Sequence, residues 1–178
     1  MMADHCTWDD DYKQITQKIR AKLLELAHVS EKDYTVVLMQ GSGSFGVESI
    51  LTSAVGEDDT LLIIANGAYG ERMADIAEHA KLNYLMYRVK YDRIPYAVYE
   101  VPEHQIPQAH MITQLIEENP SISALAMVHS ETTSGILNDI ASVTNVVKSA
   151  EKTMIVDAMS SFGGVDIPVG ELGIDFIV

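Results

Sequence analysis

Residues 34–55 read YTVVLMQGSGSFGVESILTSAV. The first seven are a short apolar run containing Val36, Val37, Leu38 and Met39; such a run predicts a buried strand. Gly41, Gly43 and Gly46 follow at the spacing G-x-G-x-x-G and predict a tight turn. The residues after it, VESILTSAV (47–55), predict a helix. Strand, glycine turn and helix form the opening unit of an α/β domain. In such a unit the free amides and the dipole of the helix start can hold an anion.

The same alternation continues outward from this stretch. Strands are predicted at TLLIIAN (60–66), LNYLMYRV (82–89), SALAMVH (123–129) and TMIVDAM (153–159), and IDFIV (174–178) reads as the beginning of another. Helices are predicted at GERMADIAEHAK (70–81), AHMITQLIEEN (109–119, ended by Pro120) and DIASVTNVVKSAEK (139–152). Asp139 is the expected N-cap of the last of these. Upstream, Ile15, Ile19, Leu23 and Leu26 recur at helical spacing within 9–27. Residues 90–107 carry Pro95, Pro102 and Pro107 and predict a loop with an edge strand. Alternating strands and helices predict an α/β fold with a mostly parallel sheet flanked by helices. The final run is expected to continue into further elements, so the 178 residues are expected to be part of a larger domain.

Composition narrows the function. The net charge is −14, and nucleic acid is excluded as a partner because its binding needs a basic face. Cys6 stands alone, which excludes a disulfide framework and a structural zinc site and fits a reduced, cytoplasmic setting. No apolar stretch is long enough to span a membrane as a helix. The opening MMADHCTWDDDY lacks the basic start and apolar run of a signal peptide.

The glycine turn admits two ligands. A dinucleotide site also requires an acidic residue at the end of the second strand, to bind the ribose. Asn66 stands there, and Glu57, Asp58 and Asp59 lie at the strand's other end. Ser42 and Ser44 add hydroxyls beside the turn's amides, which suits a terminal phosphate. A turn that binds nothing is the third reading.

Three later stretches end strands at the same sheet edge. NGAYG (66–70) places Tyr69 before a helix, where an aromatic ring can stack on a planar ligand or pack under the loop. HSETTSG (129–135) offers Thr132, Thr133 and Ser134 as donors and His129 as a base, or is an ordinary hydroxyl-rich loop around a structural histidine. In VDAMSSFGG (156–164), Asp157 closes a strongly apolar strand and needs a partner. No cluster with metal-ligand spacing surrounds it. A protonated ring nitrogen is the other candidate. Phosphate cup, stacked aromatic, hydroxyl donor and carboxylate at a ring nitrogen together describe a pyridoxal phosphate site.

The motifs CTWDDDY, QGSGS, NGAYG, MVHSETTSG and VDAMSSFGG, in this order, resemble those of the class V aminotransferases, in the fold-type I pyridoxal-phosphate group. CTWDDDY and HSETTSG resemble the phosphonate enzymes more than the alanine–glyoxylate ones. The resemblance implies that residues 1–178 are part of the large cofactor-binding domain, without the C-terminal small domain. It implies pyridoxal 5'-phosphate as cofactor, with Ser42, Gly43 and Ser44 on its phosphate, Tyr69 stacked on its ring, Thr132 near the ring hydroxyl and Asp157 as the catalytic partner of the ring nitrogen.

The implied reaction moves the amino group of 2-aminoethylphosphonate to pyruvate, giving phosphonoacetaldehyde and alanine. The implied setting is a cytoplasmic homodimer. The family's Schiff-base lysine matches none of the lysines here, so the chain alone is expected to be inactive. The competing readings are another class V transaminase such as alanine–glyoxylate, a non-catalytic remnant, and a nucleotide-binding oxidoreductase.

Overall fold

The computed structural model describes residues 6–89, 98–101 and 107–178. Six strands form one sheet: β1 (Thr60–Ala65), β2 (Asn83–Val89), β3 (Val98–Val101), β4 (Ile122–Val128), β7 (Thr153–Asp157) and β8 (Phe176–Ile177). Their order is β3-β2-β1-β4-β7-β8, and every neighbouring pair is parallel. A separate antiparallel hairpin pairs β5 (Ser130–Glu131) with β6 (Ile136–Leu137). The helices are α1 (Asp10–Leu26), α2 (Gly43–Ala54), α3 (Ala68–His79), α4 (Ala109–Glu118), α5 (Ile140–Ser149) and the single turn α6 (Val169–Leu172).

Parallel neighbours need crossovers, and the crossovers place helices on both sheet faces. The central strands are therefore apolar throughout, and their alternate residues feed two cores. Leu62, Ile64, Leu125, Met127, Met154 and Val156 pack with Ile112, Leu115, Val143 and Val147 of α4 and α5. Leu61, Ile63, Ala124, Ala126 and Ile155 pack with Val47 and Leu51 of α2 and Met73, Ala74 and Ala77 of α3. This two-sided burial explains why these strands read as continuous apolar runs.

Chain order reverses about β1. β2 and β3 are added on one side, and β4, β7 and β8 on the other. A crevice opens at such a switch point, outside the carboxyl ends of the strands. Asn66, His129 and Asp157 stand at those ends.

The expected strand at 34–40 is not formed. Residues 35–39 have no ladder partner among the described residues, and Val37 is 73% exposed, with Leu38 and Met39 also exposed. The segment is tied down by side chains instead. Arg20 donates to Thr35 Oγ1 at 2.8 Å, and the Tyr34 hydroxyl donates to the Ile174 carbonyl at 3.1 Å. Its apolar residues line a cavity of about 1110 Å³ together with Leu23 of α1, Ile50 of α2 and Phe176 of β8. An apolar run marks a surface that seeks cover, and it does not by itself specify a ladder.

The edge strand expected within 90–107 is β3. The remainder of that stretch, at 90–97 and 102–106, lies outside the described residues.

Candidate functional site

Gly43 and Gly46 of the glycine motif lie in the first turn of α2, and Gly41 precedes its N-cap. Ser42 is its N-cap, and its hydroxyl accepts from the Phe45 amide at 3.4 Å. Among the described residues the amides of Gly43 and Ser44 have no protein acceptor. With no paired strand before it, the motif lacks a further requirement of a dinucleotide turn. Asn66, at the position where the ribose acid would stand, is buried and spends its side chain on Asn138.

The start of α3 is built differently. Gly67 is the N-cap and offers no side chain. The amides of Ala68, Tyr69 and Gly70 go instead to the hairpin: Ala68 donates to Thr133 Oγ1 at 2.9 Å, and Tyr69 and Gly70 each donate to Glu131 Oε2 at 3.1 Å. Gly70 allows the helix to press on β1, since a Cβ there would lie 2.7 Å from Ala65 Cα. Tyr69, on the first turn, keeps a 43% exposed side chain.

Asp157 closes β7, half-buried, with Oδ1 accepting from the Met159 amide at 3.0 Å. Burial pushes its carboxyl above the usual range; the Met159 amide opposes this, and the negative charge of Glu131 adds to it. No Lys, Arg or His among the described residues forms an ion pair with it.

Ser44, Tyr69 and Asp157 border one small cleft of about 10 Å³, with Arg72 beside them and Val47, Met73 and Ile76 as its apolar wall. Arg72 donates to Ser44 Oγ at 3.0 Å and so joins α3 to the start of α2. Ser42 and Gly43 border the larger cavity, together with Met159. Thr132 is exposed in the turn of the hairpin and is not among the residues lining the cleft.

His129 is buried, its Nδ1 is 2.9 Å from Ser161 Oγ, and burial lowers its pKa. It is not among the residues lining the cleft. Sequence reasoning passed over Glu131 and Arg72. Glu131 was readable as an acid between an apolar strand and a hydroxyl-rich turn; the contact of Arg72, across 28 residues, had no local signal. Among the described residues no group of His, Cys, Asp and Glu is set to hold a metal, and no helix is long and apolar enough to cross a membrane.

Comparison with known proteins gives a consistent result. Residues 5–178 match the family model described as "Aminotransferase class-V". The chain is 53% identical over 178 residues to the 2-aminoethylphosphonate–pyruvate transaminase of Lysinibacillus sphaericus, and 41% identical over 179 residues to that of Bacteroides fragilis. Both alignments use the whole chain, but the chain spans only 45% and 46% of those relatives. Among solved structures, pyridoxamine-pyruvate aminotransferase of Mesorhizobium loti superposes with a TM-score of 0.83 at 22% identity, over 99% of this chain and 42% of that one. The parallel sheet, its flanking helices and the family match over nearly all residues agree: the chain belongs to the class V aminotransferase family.

Proposed function

We propose that the chain is the cofactor-binding part of a pyridoxal 5'-phosphate-dependent aminotransferase that transfers the amino group of 2-aminoethylphosphonate to pyruvate, giving phosphonoacetaldehyde and alanine. The observation that carries the reading is the convergence of Ser44, Tyr69 and an ion-unpaired, half-buried Asp157 on one cleft at the switch point of the sheet. The identity to transaminases acting on that substrate pair supports the choice of donor and acceptor.

The residues fit the cofactor's three parts. A desolvated carboxylate of raised proton affinity gains a counter-charge when it meets a ring N–H⁺, and it then keeps that nitrogen protonated. Tyr69 supplies an aromatic face at the helix start. The free amides of Gly43 and Ser44, with the Ser42 and Ser44 hydroxyls, supply donors for a phosphate at the positive end of α2. Thr132 is assigned to the ring hydroxyl by resemblance, and the hairpin is the element that would carry it there.

When bound, the cofactor supplies an electron sink. The protein's work is to hold the phosphate, cover one ring face and fix the proton on the ring nitrogen. No lysine lines the cleft among the described residues. On this reading the described residues hold and tune the cofactor, and by resemblance the amine that links it is not among this chain's lysines, so turnover is not expected of the chain alone. By resemblance they form part of the large domain of a cytoplasmic homodimer.

Thermal-shift titration tests the reading. Pyridoxal 5'-phosphate is expected to raise the melting temperature and NAD to leave it unchanged. Stabilisation by NAD alone would overturn the proposal in favour of a nucleotide enzyme. Borohydride reduction with the cofactor present is expected to label no single lysine stoichiometrically.

A further inference from the structure

Glu131 is the buried acid for which the proposed chemistry has no use. Its side chain is fully shielded from solvent, and no Lys, Arg or His among the described residues pairs with it. A carboxylate so placed needs several donors. It has four: the amides of Tyr69 and Gly70 on Oε2, and the amide and hydroxyl of Thr133 on Oε1. Thr133 Oγ1 in turn accepts from the Ala68 amide. The three consecutive orphan amides of α3 are thus all taken by the hairpin, whereas a helix is usually capped by its own N-cap side chain.

Gly67 makes the arrangement possible. A Cβ there would lie 2.3 Å from both Cγ and Cδ of Glu131 and 2.6 Å from Thr133 Oγ1. Its φ of 175° is open to any residue, so space, not backbone conformation, demands glycine.

We propose that Glu131 is a positioning residue that clamps the first turn of α3 to the β5–β6 hairpin, so that Tyr69 and the Thr132–Thr133 turn are held as one unit beside the cleft. The inference rests on the cofactor reading for the role of Tyr69. The clamp itself is a property of the folded chain and can be measured without any ligand. Its carboxylate also sits at the positive end of α3, whereas at the start of α2 the Gly43 and Ser44 amides have no protein acceptor among the described residues.

The test uses the 178-residue chain with Glu131→Ala, Gly67→Ala, Tyr69→Ala and the Glu131→Ala/Tyr69→Ala double variant. Gly67→Ala displaces the carboxylate while keeping its charge, and serves where Glu131→Ala does not fold. Hydrogen exchange is expected to speed up about tenfold or more at the Tyr69 and Gly70 amides in both the Glu131 and Gly67 variants, with the interior amides of α2 unchanged. Unchanged exchange at these two amides in the folded variant would overturn the clamp.

Pyridoxal 5'-phosphate dissociation constants then close a cycle. If Glu131 acts through Tyr69, the double variant binds no more weakly than the weaker single one. Losses that multiply would show that Glu131 does not act through Tyr69. No binding by the unsubstituted chain would overturn the cofactor reading, while the exchange measurement still decides the clamp.

Discussion

Asn66 and Asn138 exchange side-chain hydrogen bonds in the buried seam between the end of β1 and the hairpin. Asn66 Nδ2 donates to Asn138 Oδ1 at 2.8 Å, and Asn138 Nδ2 donates back at 3.3 Å and to the Val128 carbonyl at 2.8 Å. The pair fastens the end of β1 to the end of β4, where chain order reverses. Asn138→Ala leaves the Asn66 amide and the Val128 carbonyl without these partners in a buried site. The expected loss is about 2 kcal/mol of unfolding free energy, seen as a lower denaturant midpoint at unchanged m-value.

Thr144 on α5 is fully buried, and its hydroxyl has no hydrogen-bond partner among the described residues. Thr144→Val replaces that hydroxyl with a methyl among Val143, Val147 and their neighbours. A gain of about 1 kcal/mol is expected in the same denaturant assay.

Asp157 is predicted to cost the free chain stability at neutral pH. Its folded pKa lies above the unfolded value of 3.8. The folded state therefore holds the proton more tightly, and stability falls as pH rises from that value through the raised folded one. Asp157→Asn should remove this decline and make the ligand-free chain more stable at pH 7. Melting temperatures of both proteins from pH 4 to pH 8 check the sign. A residue that costs stability in the empty fold and gains a partner in the filled one is a common trade at functional sites.

His129 acts in the opposite sense. Burial lowers its pKa below 6.5, so the unfolded chain takes up its proton first. Stability is expected to fall as pH drops from about 6.5 through the lower folded value. His129→Gln, which retains a polar group toward Ser161, should flatten that acid limb in the same melting series.

The strands and helices that pack on both sides were legible because burial itself writes the pattern. Leu61 to Ile64, Leu125 to Met127 and Met154 to Val156 are buried, and each was readable as an apolar run. The cap of α5 was legible because Asp139 accepts from Ser142, three residues on, within the reach of a local motif. The segment 34–40 misled because its apolar residues border a cavity and, among the described residues, pair with no strand. The hairpin was missed because its strands are two residues each, too short for alternation to appear. The clamp from Glu131 to Tyr69 and the contact from Arg72 to Ser44 span 62 and 28 residues, and only the fold brings them together.

The central claim is that the Asp157 carboxylate meets the ring nitrogen of pyridoxal 5'-phosphate while the start of α2 holds its phosphate. The most direct measurement is equilibrium titration of the unsubstituted chain and Asp157→Asn with pyridoxal 5'-phosphate, followed by the ring's absorbance, beside a parallel titration with inorganic phosphate. The account predicts that Asp157→Asn weakens cofactor binding about tenfold or more, in keeping with the loss of a charge-assisted hydrogen bond, and leaves phosphate binding unchanged. Equal cofactor affinity in the two proteins would contradict it.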